Sequence, residues 1–264
     1  MADRRALLVD IDGVLVVSWQ ALPGAVDALR ALRSAHVPLR LLTNTTSRTR
    51  EQITQALRRA GFEIASDEVI TVTAAAAEHL TRHHPGARCL FLNSGEGGSD
   101  LAALADVVLV GPEASPGNVD VVLLGGAGPE LSYDALNHAL ACLLEGATLL
   151  AMHRNLLWRT SSGMQLDTGA FLGGLEAAAG VTATVIGKPA PAAFEGAMRS
   201  LGSRPQETVM VGDDLDSDVR AAQRLGLTGV QVRTGKFRPA QLEDGEAPDV
   251  LLDSFADLPG WLGL

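Results

Sequence analysis

The sequence predicts an α/β protein: a doubly wound, Rossmann-like parallel-sheet core with a second α/β domain inserted into it. Short apolar runs alternate with apolar-periodic helical segments at both ends of the chain. Several of those runs end in carboxylates or hydroxyls, and about a hundred residues in the middle keep a strand–helix rhythm of their own. Strands and helices alternating in this order build a parallel sheet with helices on both faces. A hundred residues is too much for a loop, so the middle is read as an inserted domain.

Residues 6–11 form the first apolar run, of strand length and ending in carboxylates. A helix over Ala25–Ser34 follows, then the run 37–42, then a helix for which Ser47 is the expected cap and Glu51 lies in the first turn. Predicted strands in the middle are 89–92, 107–110, 119–124 and 148–152, with a helix Tyr133–Leu144 capped by Ser132. The last third returns to the opening pattern: strand 184–186, helix Pro191–Leu201, strand 208–211, helix 217–225, strand 229–232, then Val250–Leu252 and a terminal helix. The expected core is thus residues 1–80 and 185–264, with 81–184 as the insertion.

Of 264 residues, 47% are hydrophobic and 20% charged, which excludes bulk disorder. Acidic residues number 31 against 21 basic, a net charge of -10 that argues against nucleic acid or an anionic membrane as partner. A local lysine or a bound metal can still attract a small anion. The two cysteines, Cys89 and Cys142, lie in apolar runs without CxxC spacing and read as buried free thiols of a reducing cytoplasm. Asp10 and Asp12 interrupt the first apolar run, so it does not read as a signal peptide, and the glycines and Glu176 in 168–187 exclude a membrane span there. The histidines show no HxH or HExxH spacing, and His83-His84 sits in a polar helix end, so zinc chemistry is not expected.

Four separated motifs carry the chemistry. Asp10-Ile11-Asp12-Gly13 ends the first strand, and residues two apart on a strand project to one side, so both carboxylates can serve one site. One can attack phosphorus while the other handles protons, and Gly13 would let the backbone approach a phosphate. Thr43-Asn44-Thr45 follows the next strand run and offers a hydroxyl, an amide and backbone N–H groups as a neutral phosphate cradle. Lys188, held between Gly187 and Pro189, can neutralise both the nucleophile and the transferring phosphoryl group. Asp213, Asp214, Asp216 and Asp218 follow the apolar run 209–211; clustered carboxylates repel one another unless a cation compensates, and oxygen-only ligands suit Mg²⁺. Taken singly, each motif also reads as a turn, a helix cap or a loop lysine.

In this order the four motifs resemble the haloacid-dehalogenase-like hydrolases. They resemble in particular the NagD/p-nitrophenylphosphatase-like subgroup with a large α/β cap between the second and third motifs. The strings LLTNTT (41–46), VIGKP (185–189) and VRTGKF (232–237) look close to its phospholysine/phosphohistidine/pyrophosphate phosphatase branch. The resemblance implies a Mg²⁺-dependent phosphatase working through a phosphoaspartate on small phosphorylated metabolites. Asp10 would be nucleophile and metal ligand, and Asp12 general acid/base with its carbonyl on the metal. Asp213 would be the third protein ligand; Thr43, Asn44 and Lys188 would bind the phosphoryl group. Asp214 and Asp218 would hold metal-bound waters or the loop. An acid two residues after the nucleophile resembles phosphatases rather than dehalogenases, and the cap type implies a homodimer. Beside the core strands, the insertion would act as a lid favouring small substrates.

Two cap segments depart from the family pattern. Gly125-Gly126-Ala127-Gly128 stands where many relatives have an aspartate, and the loop 161–167 lacks the expected Gly/Pro-rich form. Other readings of the motif set are a phospho-receiver domain, for which the chain is about twice too long, a dehalogenase, and a silent binding protein with the same fold.

Overall fold

The computed structural model describes residues 5–160, 163–243 and 245–264. Residues 1–4, Asp244, and Ser161 and Ser162 of the loop 161–167 lie outside the described residues. The chain divides into two compact units: Met1–Thr43, Arg50–Ile70 and Lys188–Leu264 form the first, Asn44–Thr49 and Thr71–Gly187 the second.

The main sheet of the first unit has six strands, ordered Val250–Leu252, Thr228–Val232, Thr208–Gly212, Ala6–Val9, Leu39–Thr43 and Val69–Thr71. Ala6–Val9 pairs in parallel with both central neighbours, through Leu7 with Val209 and Leu7 with Leu39. The side-chain period of two sends alternate residues to opposite faces. Leu7, Val9, Leu41, Val209 and Val211 pack with Leu29, Leu32, Ile53 and Leu57 from helices Ala25–Ser34 and Arg50–Arg59. Leu8, Leu42 and Met210 pack instead with Phe194 and Ala197 of Pro191–Leu201 and with Ala221 and Ala222. Both faces are covered, as the doubly wound prediction required, and the strand Ala6–Val9 is wholly apolar and buried because neither of its faces meets water.

The second unit repeats this plan with five strands, ordered Thr184–Val185, Thr148–Ala151, Val121–Leu124, Ala87–Leu92 and Val107–Val110. Leu90, Leu92, Val122 and Leu124 face Ala139, Cys142, Leu172 and Leu175, which belong to helices Tyr133–Leu144 and Thr168–Ala179. Cys89, Val121 and Leu123 face Val72, Ala76 and Leu80 of the helix Val72–His83. That helix therefore packs within the second unit, whose longer segment runs from Thr71 to Gly187 where the sequence pattern places the insertion at 81–184. Both thiols are free and buried, and burial pushes the Cys89 thiol up to about 12. Among the described residues no helix is long and apolar enough to cross a membrane.

Helices Ala25–Ser34, Tyr133–Leu144 and Pro191–Leu201 span the predicted residues, and the Ser132 side chain accepts the Ala135 N–H as expected of a cap. Ser47 does not cap the next helix, which starts at Arg50. Its carbonyl is drawn into the second unit instead, accepting the Glu96 N–H at 3.0 Å. The helix expected over 217–225 begins two residues earlier, as a π-helical turn Leu215–Arg220 leading into Ala221–Arg224. Its cap is Asp214, whose side chain accepts the N–H groups of Asp216 and Ser217.

Candidate active site

The first strand stops at Val9, so Asp10 and Asp12 do not share one strand face as the spacing suggested. They sit in the following turn, where the N–H groups of Leu15 and Val16 return to the Ile11 carbonyl at 3.0 and 3.1 Å. The turn separates the two carboxylates by environment: Asp10 is 7% exposed, whereas Asp12 faces solvent. That difference suits a nucleophile held in place and an acid/base in exchange with water.

Lys188, 4% exposed, anchors the centre. Its Nζ donates to Asp10 Oδ1 at 2.6 Å and to the Leu42 carbonyl at 3.2 Å, and lies 2.7 Å from Asp218 Oδ1. Burial alone would lower the lysine pKa; the charges of Asp10 and Asp218 outweigh it and hold the value above the ordinary one. Thr43 ends the strand one residue after that carbonyl and is buried. Asn44 begins the second unit, with its Oδ1 packed against Gly187.

Asp213, 1% exposed, and Asp218, equally buried, complete the centre. Oxygens of Asp10, Asp213 and Asp218 all lie within 4.8 Å of one another. Burial first, and then the charges of Asp10 and Asp218, push Asp213 up to about 8. Burial likewise raises Asp218 to about 6 against the pull of Lys188. Asp213 Oδ1 is buried with no hydrogen-bond partner among the described residues. Of three clustered carboxylates only Asp10 and Asp218 touch the Lys188 ammonium, and the Lys236 charge does not hold Asp213 down to its ordinary value, so the set is short of positive charge and an oxygen-liganded dication would fit it. The structure gathers the Asp218 carboxylate with those of Asp10 and Asp213, and the Asp12 side chain is not part of that cluster.

The rest of the aspartate run divides by role. Burial would raise the Asp214 pKa, but the Lys236 charge and the Ser217 N–H outweigh it and keep the carboxylate ionised as a cap. Asp216 is exposed and pairs with Arg220 at 2.9 Å.

Gly13 does not present its N–H to a ligand, because it donates to the Val16 carbonyl at 2.7 Å. Its requirement is steric: φ is +84°, and a Cβ there would lie 2.0 Å from Asp213 Oδ2. Gly235, with φ +61°, meets the same oxygen at the same distance from the other side. Two glycines therefore make the slot that holds Asp213. The loop that supplies Gly235 was read from sequence only as a family-like string, and it does more. Lys236 N–H donates to Asp213 Oδ2 at 2.7 Å, Lys236 Nζ lies 3.5 Å from Asp214 Oδ2, and the Thr234 hydroxyl donates to the Gly13 carbonyl. A glycine followed by a lysine after a buried strand was the available signal, but nothing in the sequence says which loop it faces.

In the second unit, the segment Gly125–Gly126–Ala127 is held through its backbone by neighbouring side chains. Gly126 N–H donates to Asn93 Oδ1 at 2.8 Å, Ala127 N–H to Asp167 Oδ1 at 3.2 Å, and the Thr168 hydroxyl donates to the Gly125 carbonyl. A Cβ on Gly125 would stand 2.1 Å from Asn93 Oδ1, so this segment packs too closely for a side chain.

A family model described as haloacid dehalogenase-like hydrolase matches residues 7–106, and a second, HAD-hydrolase-like, matches 185–258. The chain is 38% identical over 259 residues to the bovine (Bos taurus) haloacid dehalogenase-like hydrolase domain-containing protein 2, covering 97% of this chain and 95% of that one. It is 33% identical over 271 residues to the human (Homo sapiens) phospholysine phosphohistidine inorganic pyrophosphate phosphatase, covering 97% and 92%. The crystal structure of 4-nitrophenylphosphatase from Thermotoga maritima superposes with a TM-score of 0.88 at 25% identity, covering 98% of this chain and 97% of that one. Fold, motif order and relatives agree: the chain belongs to the haloacid-dehalogenase-like hydrolases, among their nitrophenylphosphatase-like phosphatases.

Proposed function

We propose that this phosphatase depends on Mg²⁺ and hydrolyses small phosphorylated metabolites, phosphomonoesters first and pyrophosphate or phosphoamidates as further candidates, through a phosphoaspartate on Asp10. The observation that carries the reading is the buried carboxylate cluster of Asp10, Asp213 and Asp218, in which Lys188 contacts only Asp10 and Asp218 and Asp213 Oδ1 is unsatisfied. Its all-oxygen donors and excess negative charge fit Mg²⁺ held by Asp10 and Asp213, with Asp218 ligating directly or through water and the Asp12 carbonyl as a further ligand. When bound, the ion supplies neutralisation of the nucleophile and of the phosphoryl oxygens.

The remaining chemistry belongs to the chain's own groups. Lys188, fixed at 2.6 Å from Asp10 Oδ1, orients the nucleophile and offsets its repulsion of an incoming phosphate dianion. An Asp10 oxygen forms the bond to phosphorus as the bond to the leaving oxygen breaks. Asp12, reachable from solvent, gives that oxygen its proton. Water then attacks the phosphoaspartate, its proton passes to Asp12, and inorganic phosphate leaves with Asp10 restored. Thr43 and Asn44 are the expected phosphoryl contacts from the second motif. The substrate range rests on the likeness to the human and Thermotoga phosphatases. Two buried thiols suit a reducing compartment such as the cytoplasm.

The test is a phosphate-release screen over phosphomonoesters, pyrophosphate and phosphoamidates, with Mg²⁺ and with EDTA. Turnover of at least one small substrate that EDTA abolishes and Mg²⁺ restores is expected. EDTA-resistant turnover, or halide release from a haloacid without any phosphatase activity, would overturn the reading.

A further inference from the structure

We propose that His79, His83 and His84 form a binding site for a first-row transition-metal dication with affinity for imidazole, such as Zn²⁺, Ni²⁺ or Cu²⁺. The site lies on the second unit and is chemically unlike the carboxylate centre of the first. The sequence carries no HxH or HExxH, but four residues are one helical turn, so His79 and His83 stand on the same side of the helix Val72–His83. His84 is the C-cap residue, and its backbone leaves the helix there with φ -138°.

The structure brings two further rings up to His79. The centroids of His79 and His83 are 4.6 Å apart and tilted by 41°, and those of His79 and His84 are 6.0 Å apart. No ring makes a hydrogen bond or ion pair with another described residue, so their nitrogens are not committed elsewhere. The nearby guanidinium of Arg82 is engaged by Glu78 at 2.5 Å. Burial, then the charges of His83 and His84, then Arg82, keep His79 below the ordinary histidine value, which favours the neutral ligand form. The last helical turn also carries the negative end of the helix dipole, which favours a cation. The nitrogens are less tightly gathered than the oxygens of the carboxylate centre, so closing on an ion takes rotation of the His83 and His84 rings. Imidazole donors select these ions over Mg²⁺, which prefers oxygen.

The test titrates the full-length, Mg²⁺-saturated protein, free of any polyhistidine tag, with Ni²⁺ by calorimetry. Because Ni²⁺ can also displace Mg²⁺ at the carboxylates, it is the affinity lost in the histidine variants, not the total heat, that reports imidazole ligation. One Ni²⁺ per chain is expected, with affinity falling at least tenfold in H83A, whose side chain is exposed, and in the double variant H79A/H83A. The Mg²⁺-dependent phosphatase rate and the melting temperature of metal-free H83A should match the parent, separating a lost ligand from a lost fold. Ni²⁺ binding of unchanged affinity in H79A/H83A, or no saturable binding by the parent protein, would overturn the site. Neither result bears on the phosphatase reading, because activity is scored with Mg²⁺ alone.

Discussion

Replacing Asp213 by Asn should stabilise the metal-free protein while removing its phosphatase activity. Asp213 titrates near 8 in the fold, against an ordinary value of 3.8. Between those values the folded protein holds a proton that the unfolded chain has released. Metal-free stability therefore falls as pH rises from about 4 and flattens above about 8, and Asp218, at about 6, steepens the lower part. At pH 7 roughly 3 pH units separate the solution from the ordinary value, and about 1.4 kcal/mol per unit gives a ceiling of ~4 kcal/mol for the Asp213 cost. Asn keeps an oxygen to accept the Lys236 N–H, and its amide can donate to Asp10 or Asp218. Water entering the polar centre offsets part of the cost in the parent, so the expected gain of D213N is ~1–3 kcal/mol, or about 2–10 °C in melting temperature. The assay is thermal unfolding in EDTA from pH 5 to 8.5, repeated with Mg²⁺. D213N should melt higher than the parent above pH 6, with the gap widening towards pH 8, and Mg²⁺ should raise only the parent. A D213N protein that melts lower at pH 8, or a gap that does not grow with pH, would refute the charge-repulsion account of this centre.

Other variants separate the remaining roles. D10N should abolish turnover of every substrate and leave no phosphoenzyme in an acid-quenched sample by intact mass; a fully active D10N, checked for deamidation, would remove Asp10 as nucleophile. D12N should slow leaving-group release from alkyl phosphates up to about 10²–10⁴-fold more than from p-nitrophenyl phosphate, whose leaving group needs little protonation, as read in the pre-steady state. Equal slowing of the two would rule out Asp12 as the acid. K188M leaves Asp10 and Asp218 buried without their ammonium and should cost about 3–5 kcal/mol in urea unfolding of the metal-free protein at pH 8. A loss below 1 kcal/mol would show that the lysine does not hold the pair. G235A places a Cβ against the Asp213 carboxylate at a left-handed backbone position, so both Mg²⁺ stabilisation and turnover should drop sharply, and near-parent values for both would show that the loop is free to move aside.

The sequence by itself determined the α/β class, the two-sheet organisation and the identity of Asp10, Lys188 and Asp213 as partners. The first two rest on local signals: apolar runs of strand length, helical periodicity, and polar residues where strands end; the three residues follow from the order of the motifs and the family resemblance it carries. The alternation of Leu7, Leu8 and Val9 between two packing clusters follows from the strand period alone. Only the tertiary structure decided what the aspartates do individually. Four of them within six residues look equivalent in sequence, yet the π-helical turn buries Asp218 beside Lys188, uses Asp214 as a cap and leaves Asp216 on the surface with Arg220. The same holds for Gly13, whose need for a missing side chain arises from Asp213 and Gly235, some two hundred residues away in the chain. Spacing reports direction along one strand or helix. Burial and charge balance depend on which distant segments meet, and these set the pKa of Asp213 and which carboxylates gather around it.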